Sequence, residues 1–277
     1  MIRVRRGDEP PALAAERNVR LPAMRTLARS GRPKSEDFVG YGVAKSTLGA
    51  LMAQKCWYCE RRVEGKYEPV EHYRPKSQAR RGPGYTLDGY WWLAWTWENL
   101  MFICDDCNKA KGTAFPLDVK SVALVAEEVP PGQERALLLD PSAADVDPVD
   151  HIEFFDAGNG RWLARARRGS PLGAATVREL GLDGIKRPGV GQLFGDHVNR
   201  VMRDAMRELN DATRGDDHRR VVEAWDRVCR KFLRATNVFA ALSYDALDAL
   251  MPPNRRARWG LLRPRPPWEP ATSPVVR

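Results

Sequence analysis

Five cysteines stand in the chain, and four of them form two Cys-x-x-Cys pairs, Cys56/Cys59 and Cys104/Cys107. Each pair can close a tight turn on an ion, so together they offer four thiolates to one tetrahedral Zn²⁺ at about 2.3 Å per sulfur. A site with four protein ligands has no open position and is structural, joining the two ends of the intervening residues 60–103. In a reducing compartment the doubled spacing points to zinc rather than to disulfides. The residues between the pairs are of another chemical kind. Glu71-His72 is followed by Tyr73-Arg74-Pro75-Lys76, then by Trp97-Glu98-Asn99-Leu100, and the second pair runs on as Cys107-Asn108-Lys109-Ala110-Lys111. His72 is the only histidine in this stretch. A neutral imidazole of pKa about 6.5 takes a proton from water at neutral pH once a second group fixes its orientation. Arg74, Lys76, Lys109 and Lys111 place cations around it, suited to phosphates on either side of a bond under attack. A base beside positive charge is what phosphodiester hydrolysis requires.

An acidic residue before His, an Asn-Leu between the knuckles and Cys-Asn-x-x-Lys at the second knuckle are similar to the pattern of HNH endonucleases, whose core is a ββα-metal fold. The chain more closely resembles the retron- and Septu-associated HNH proteins, PtuB-like effectors of anti-phage defence. That resemblance rests on Cys59-Glu60 closing the first knuckle, Glu71-His72-Tyr73-Arg74-Pro75-Lys76-Ser77, and Trp92-Leu93-Ala94-Trp95 ahead of Trp97-Glu98-Asn99-Leu100. It continues through Lys111-Gly112-Thr113 with Phe115-Pro116-Leu117, Leu138-Leu139-Asp140-Pro141 and His151-Ile152-Glu153-Phe154. Shorter signals lie at Ile2-x-x-Arg5, Pro10-Pro11-x-Leu13 and Glu179-Leu180-Gly181-Leu182, while the far C-terminal helices match only in being helical.

The resemblance implies a metal-dependent endonuclease, with DNA the favoured substrate and structured RNA the alternative, working beside a separate ATPase in a bacterial defence system. It implies His72 as the base, a group from the loop at Asn99 supporting its geometry, and one catalytic ion between Glu71 and Asn108. Two positions depart from common HNH members, which carry Asp at the place of Glu71 and in some cases a second His at that of Asn108. Asn is a weak ligand for zinc, so the active ion is expected to be an exchangeable Mg²⁺ or Mn²⁺.

The elements that position these groups give an α+β chain: a zinc-stapled ββα-metal (HNH) nuclease core with a small β unit and flanking, mostly C-terminal, helices. Apolar spacing predicts helices over 11–29 and 36–53, so residues 1–54 form a helical lead-in to the core at 55–120. Arg80-Arg81-Gly82-Pro83-Gly84 reads as an exposed loop, and the tryptophans of Tyr90-Trp91-Trp92-x-x-Trp95-x-Trp97 as packing against the zinc module rather than a base-stacking platform. Residues 121–170 form the β unit, in which Gly158-Asn159-Gly160 turns a hairpin. Residues 171–262 are helical, with periodic runs at 175–182, 192–212 and 221–242, and the proline-rich tail 263–277 supports neither helix nor inner strand. Lysine and arginine number 45 against 36 aspartate and glutamate, a formal charge of +9 that favours polyanionic partners. No apolar run reaches the roughly 20 residues of a membrane span and the N-terminus lacks a signal-peptide core, so a cytoplasmic protein without a membrane partner is expected.

The remaining chemically distinctive residues have quieter expectations. His151 follows an acid, as His72 does, but lacks the downstream Asn and Cys partners and is expected at the start of a hairpin strand. His197 and His218 are expected at surface or interhelical positions, and Cys229, on the apolar side of its helix, as a small buried thiol. The rival to a nuclease is a zinc-stapled nucleic-acid-binding or interaction subunit that does not cut.

Overall fold

The computed structural model describes residues 1–63, 70–82, 85–214 and 217–264. The lead-in begins with α1 (Pro11–Ser30), whose Leu13 and Met24 are buried. The helix expected over 36–53 is interrupted: two 3-10 turns at Ser35–Asp37 and Tyr41–Ala44 precede a short α2 (Lys45–Leu51). Gly40 explains the break, because its φ of +92° lies in the left-handed region that ends a right-handed helix.

From the first knuckle the chain enters β1 (Val70–His72) and a hairpin of β2 (Gln78–Gly82) with β3 (Tyr85–Asp88). It then makes two 3-10 turns (Trp91–Leu93 and Trp97–Asn99) before β4 (Leu100–Phe102) and α3 (Asp105–Lys111). β1 and β4 pair antiparallel, Val70 opposite Phe102 and His72 opposite Leu100. Arg80, Arg81 and Gly82 therefore lie in a paired strand, a correction to the expected loop, while Pro83 and Gly84 are outside the described residues. Packing accounts for the tryptophans: Trp92, Trp95 and Trp97 are buried, and their indole N–H groups donate to the carbonyls of Glu128, Val39 and Gly7. Trp91 is half-buried.

A long irregular stretch leads to the turn α4 (Pro148–His151) and a second hairpin, β5 (Ile152–Asp156) with β6 (Trp162–Ala166). Gly158, Asn159 and Gly160 all take positive φ between these strands, as the sequence predicts for the turn. The helices that follow are α5 (Pro171–Leu180), α6 (Val190–Thr213), α7 (His218–Phe232), α8 (Ala240–Leu250) and α9 (Pro253–Arg258). The periodic run 221–242 is thus two helices: α7 ends at Phe232, and α8 starts after Phe239, whose φ of +52° is left-handed. Of the tail, residues 265–277 lie outside the described set. One buried cluster draws on every segment, from Ile2 and Leu13 through Trp57, Trp95 and Phe102 to Phe154, Phe194, Trp225 and Leu247.

Candidate functional site

The first knuckle is a turn in which Cys56 N–H donates to the Arg61 carbonyl, Glu60 N–H donates to the Cys56 carbonyl, and Glu60 adopts a left-handed φ of +61°. The second sits on the N-terminus of α3, where Cys104 is the N-cap, Asp105 and Asp106 face the positive end of the helix dipole, and Lys109 and Lys111 lie in the last turn. Trp57 N–H donates to the Phe102 carbonyl, fastening the first knuckle to β4. All four cysteines are buried, and their sulfurs lie within 4.8 Å of one another. Cys59 and Cys104 approach to 3.6 Å, far outside the ~2.05 Å of a disulfide and close to the roughly 3.8 Å edge of a tetrahedron with 2.3 Å metal–sulfur bonds. Burial pushes the Cys56 thiol well above its usual range, and four sulfurs this close ionise together only around a cation. The donor set and its spacing fit zinc.

His72 ends β1 and is 1% exposed. Its Nε2 lies 2.9 Å from the carbonyl of Ala94, which can only accept, so Nε2 carries the proton and Nδ1 holds the lone pair. Nδ1 is buried without a partner among the described residues. Burial, with the charges of Lys76 and Lys111, holds the imidazole well below its ordinary pKa, hence neutral. Tyr41 packs edge-on against the ring at 4.6 Å, and the Lys76 ammonium sits 5.1 Å over the Tyr41 ring.

Among the described residues no hydrogen bond joins the Asn99 side chain to the imidazole. Its Oδ1 accepts from Arg74 N–H at 2.7 Å, and its Nδ2 donates to the carbonyls of Arg74 and Leu93 at 3.0 and 3.1 Å. Those bonds fix the chain on both sides of His72: the turn after β1, and the 3-10 turn that aims the Ala94 carbonyl.

The four cations expected at phosphates part company. Lys111 is 1% exposed, and its ammonium donates to Glu71 Oε1 at 2.6 Å and to the His72 carbonyl at 2.9 Å. Arg74 turns inward to Glu134 at 2.8 Å, with Tyr90 O–H donating to the other carboxylate oxygen. Lys109 is on the surface, 74% exposed and paired with Asp105. Lys76 alone of the four is half-buried beside His72 without an ion pair among the described residues, and it lines an open groove of about 620 Å³ with Arg32, Ser77, Arg81 and Trp91. Asn108 lies one turn before Lys111 on the same side of α3. No described residue bonds Glu71 Oε2, so one carboxylate oxygen and the Asn108 amide remain as hard donors for a divalent ion.

Sequence reasoning gave no role to Lys55, Glu60 or Arg187. Lys55 is fully buried and donates to the carbonyls of Ala235 and Asn237 at 2.6 and 2.7 Å. Glu60 accepts from the N–H groups of Ala240 and Ala241, capping α8, and pairs with Lys55 and the amino group of Met1. The signal available was Glu60 itself, an acid directly after a knuckle cysteine. Of the secondary histidines, His151 Nδ1 meets Ser170 Oγ at 2.7 Å, His197 Nε2 meets Ser243 Oγ at 2.8 Å between α6 and α8, and His218 is exposed at the start of α7. Cys229 is half-buried, and burial pushes its thiol up to about 12.

These features define a mixed α+β protein with a buried four-cysteine cluster that can hold a metal ion, set against a strand pair and helix carrying His72. The chain is 35% identical over 142 residues to the Septu protein PtuB of Bacillus mycoides (strain KBAB4), covering 50% of this chain and 46% of that protein. A Septu protein PtuB from Bacillus thuringiensis is 31% identical over 115 residues, 41% of this chain and 38% of the relative. The Septu protein PtuA of the same Bacillus mycoides strain shares 32% identity over 110 residues, 38% of this chain and 15% of that protein. The chain spans less than half the length of these curated relatives. No protein-family model matches the chain. No solved structure matches it either. Among the described residues no helix is long and apolar enough to cross a membrane.

Proposed function

We propose that the chain is a metal-dependent HNH endonuclease that hydrolyses phosphodiester bonds of nucleic acid, DNA in the first place, as the effector of an anti-phage defence system of the Septu or retron kind. The observation that carries the proposal is the state of His72: a neutral imidazole whose proton is committed to the Ala94 carbonyl, leaving an Nδ1 lone pair with no partner among the described residues, one residue from a carboxylate. Nδ1 takes the proton of the attacking water, and the Nε2 bond to Ala94 steadies the imidazolium that results. Glu71 and Asn108 would hold the divalent ion, which supplies positive charge to the transition state and to the leaving oxygen. Lys111 orients Glu71 through the 2.6 Å ion pair, and Lys76 offers a cation to an adjacent phosphate. The likeness to relatives named Septu protein PtuB and PtuA supports the defence setting and a partner protein, which we take to be an ATPase.

The test is cleavage of supercoiled DNA and total RNA by purified protein with Mg²⁺. His72→Ala should lower the rate by at least ~10²-fold while the protein stays folded, and EDTA should abolish cutting. Full activity of His72→Ala removes the base assignment. A second reading, a non-cleaving binder, draws on the Lys111 ammonium already occupying one oxygen of Glu71. Nucleic-acid binding that survives EDTA, with no cutting by the wild type alone or with its partner, would establish it.

A further inference from the structure

The connection between α5 and α6 carries Arg187, 10% exposed at its side chain, whose guanidinium reaches the second knuckle. One terminal nitrogen lies 3.3 Å from the Cys107 sulfur and the other 3.5 Å from Asp106 Oδ2. Arg61, from the first knuckle, pairs with that same carboxylate at 3.0 Å. The path of the side chain is prepared by Gly181, in the left-handed region at φ +63°, where an added Cβ would stand 3.1 and 3.3 Å from Arg187 Cγ and Cδ. A second tie runs beside it: Glu179 of α5 binds Arg80 of β2 at 2.8 Å and Lys186 at 2.9 Å.

Four thiolates around one Zn²⁺ leave the centre with two negative charges in a buried place. A guanidinium that donates to a ligating sulfur withdraws charge from it and fixes its direction, as outer partners of metal ligands do generally. We infer that Arg187 is an outer-sphere partner of the four-cysteine metal centre, and that through it metal occupancy controls the docking of the α5–α6 connection onto the knuckles. The same contact works in both directions. The metal gives Arg187 a concentrated anion to hold, and Arg187 lowers the tendency of the Cys107 thiolate to leave the metal.

The experiment uses the full zinc-loaded chain. Zinc transfer to a chromogenic chelator is followed for the wild type, Arg187→Met, Arg187→Lys and the control Arg178→Met, with amide hydrogen exchange of residues 181–213 measured before and after stripping the wild type. Arg187→Met should weaken zinc binding by ~10–100-fold, Arg187→Lys by less, and Arg178→Met not at all; stripping should raise exchange across 181–189. Arg187→Met that holds zinc as tightly as the wild type, with its helical circular dichroism intact, overturns the outer-sphere role. Unchanged exchange at 181–189 after stripping overturns the coupling, and that measurement needs no variant. A wild type that binds no zinc overturns both.

Discussion

His72 and Lys111 show how far residue type alone carries an argument. Cys-x-x-Cys spacing is legible because a tetrahedral ion imposes its geometry locally, and an acid-histidine pair between two such knuckles stands out. The direction of a lysine is not legible, since a solvated cation and a buried one are spelled alike. Lys111 looked like a phosphate contact and is instead sealed against Glu71 and the backbone of His72. The partner that sets the His72 tautomer is the Ala94 carbonyl, a group every residue possesses, so no sequence pattern could have named it. Removing Lys111 leaves a mostly buried Glu71 carboxylate without its counter-charge, so Lys111→Met should cost about 2–4 kcal/mol. Lys109→Met, at an exposed pair, should leave the melting temperature where it was. Thermal or urea unfolding of the two variants checks this; equal effects would mean that Lys111 is solvated.

At the scale of elements, most helices follow from periodicity and most errors from junctions. α5 and α6 were readable in their apolar stripes, with Val190, Phe194, His197, Val198, Val201 and Ala205 buried along one side of α6. The break between α7 and α8 was not readable, because its cause lies far away in the chain. Phe239 N–H donates to the Glu60 carbonyl, and the Glu60 carboxylate takes the first amides of α8. Burial alone would raise the pKa of this carboxyl, yet the adjacent cations of Met1 and Lys55 and the helix amides hold it below its ordinary value. Glu60→Gln keeps the shape but leaves Lys55 buried with only carbonyl partners. The Gln amide oxygen can still accept from the α8 amides, so the cost is that of a buried ammonium left without its counter-charge, about 3–5 kcal/mol. A urea midpoint for Glu60→Gln within error of the wild type would dismiss this account.

For the whole molecule, the α+β class was legible, whereas the buried core that unites its elements was not: contacts such as Arg6 with the Trp97 carbonyl or Asp245 with Arg167 join residues with no local relation. Global stability should carry the mark of His197, which burial, helped by the nearby Arg200, holds at about 4. Above about pH 6.5 neither state binds the extra proton. As pH falls from there towards about 4, the unfolded chain takes up a proton that the folded one refuses, so stability declines by about 1.4 kcal/mol per pH unit and then levels. His72, displaced in the same direction by burial, steepens the decline. Urea midpoints at about pH 7 and pH 5 should differ less in His197→Asn than in the wild type; identical shifts in both would acquit that histidine.

Glu60 and Lys55 also set a timetable for a chain leaving the ribosome. Both emerge in the company of Cys56 and Cys59, 180 residues ahead of their partners at Ala235 and Ala240. Until then the first knuckle carries charged groups it cannot bury and apolar neighbours such as Trp57 and Tyr58 that it cannot cover. Nascent chains halted before Ala240 should therefore recruit holding chaperones and resist compaction, and those halted well beyond α8 should not.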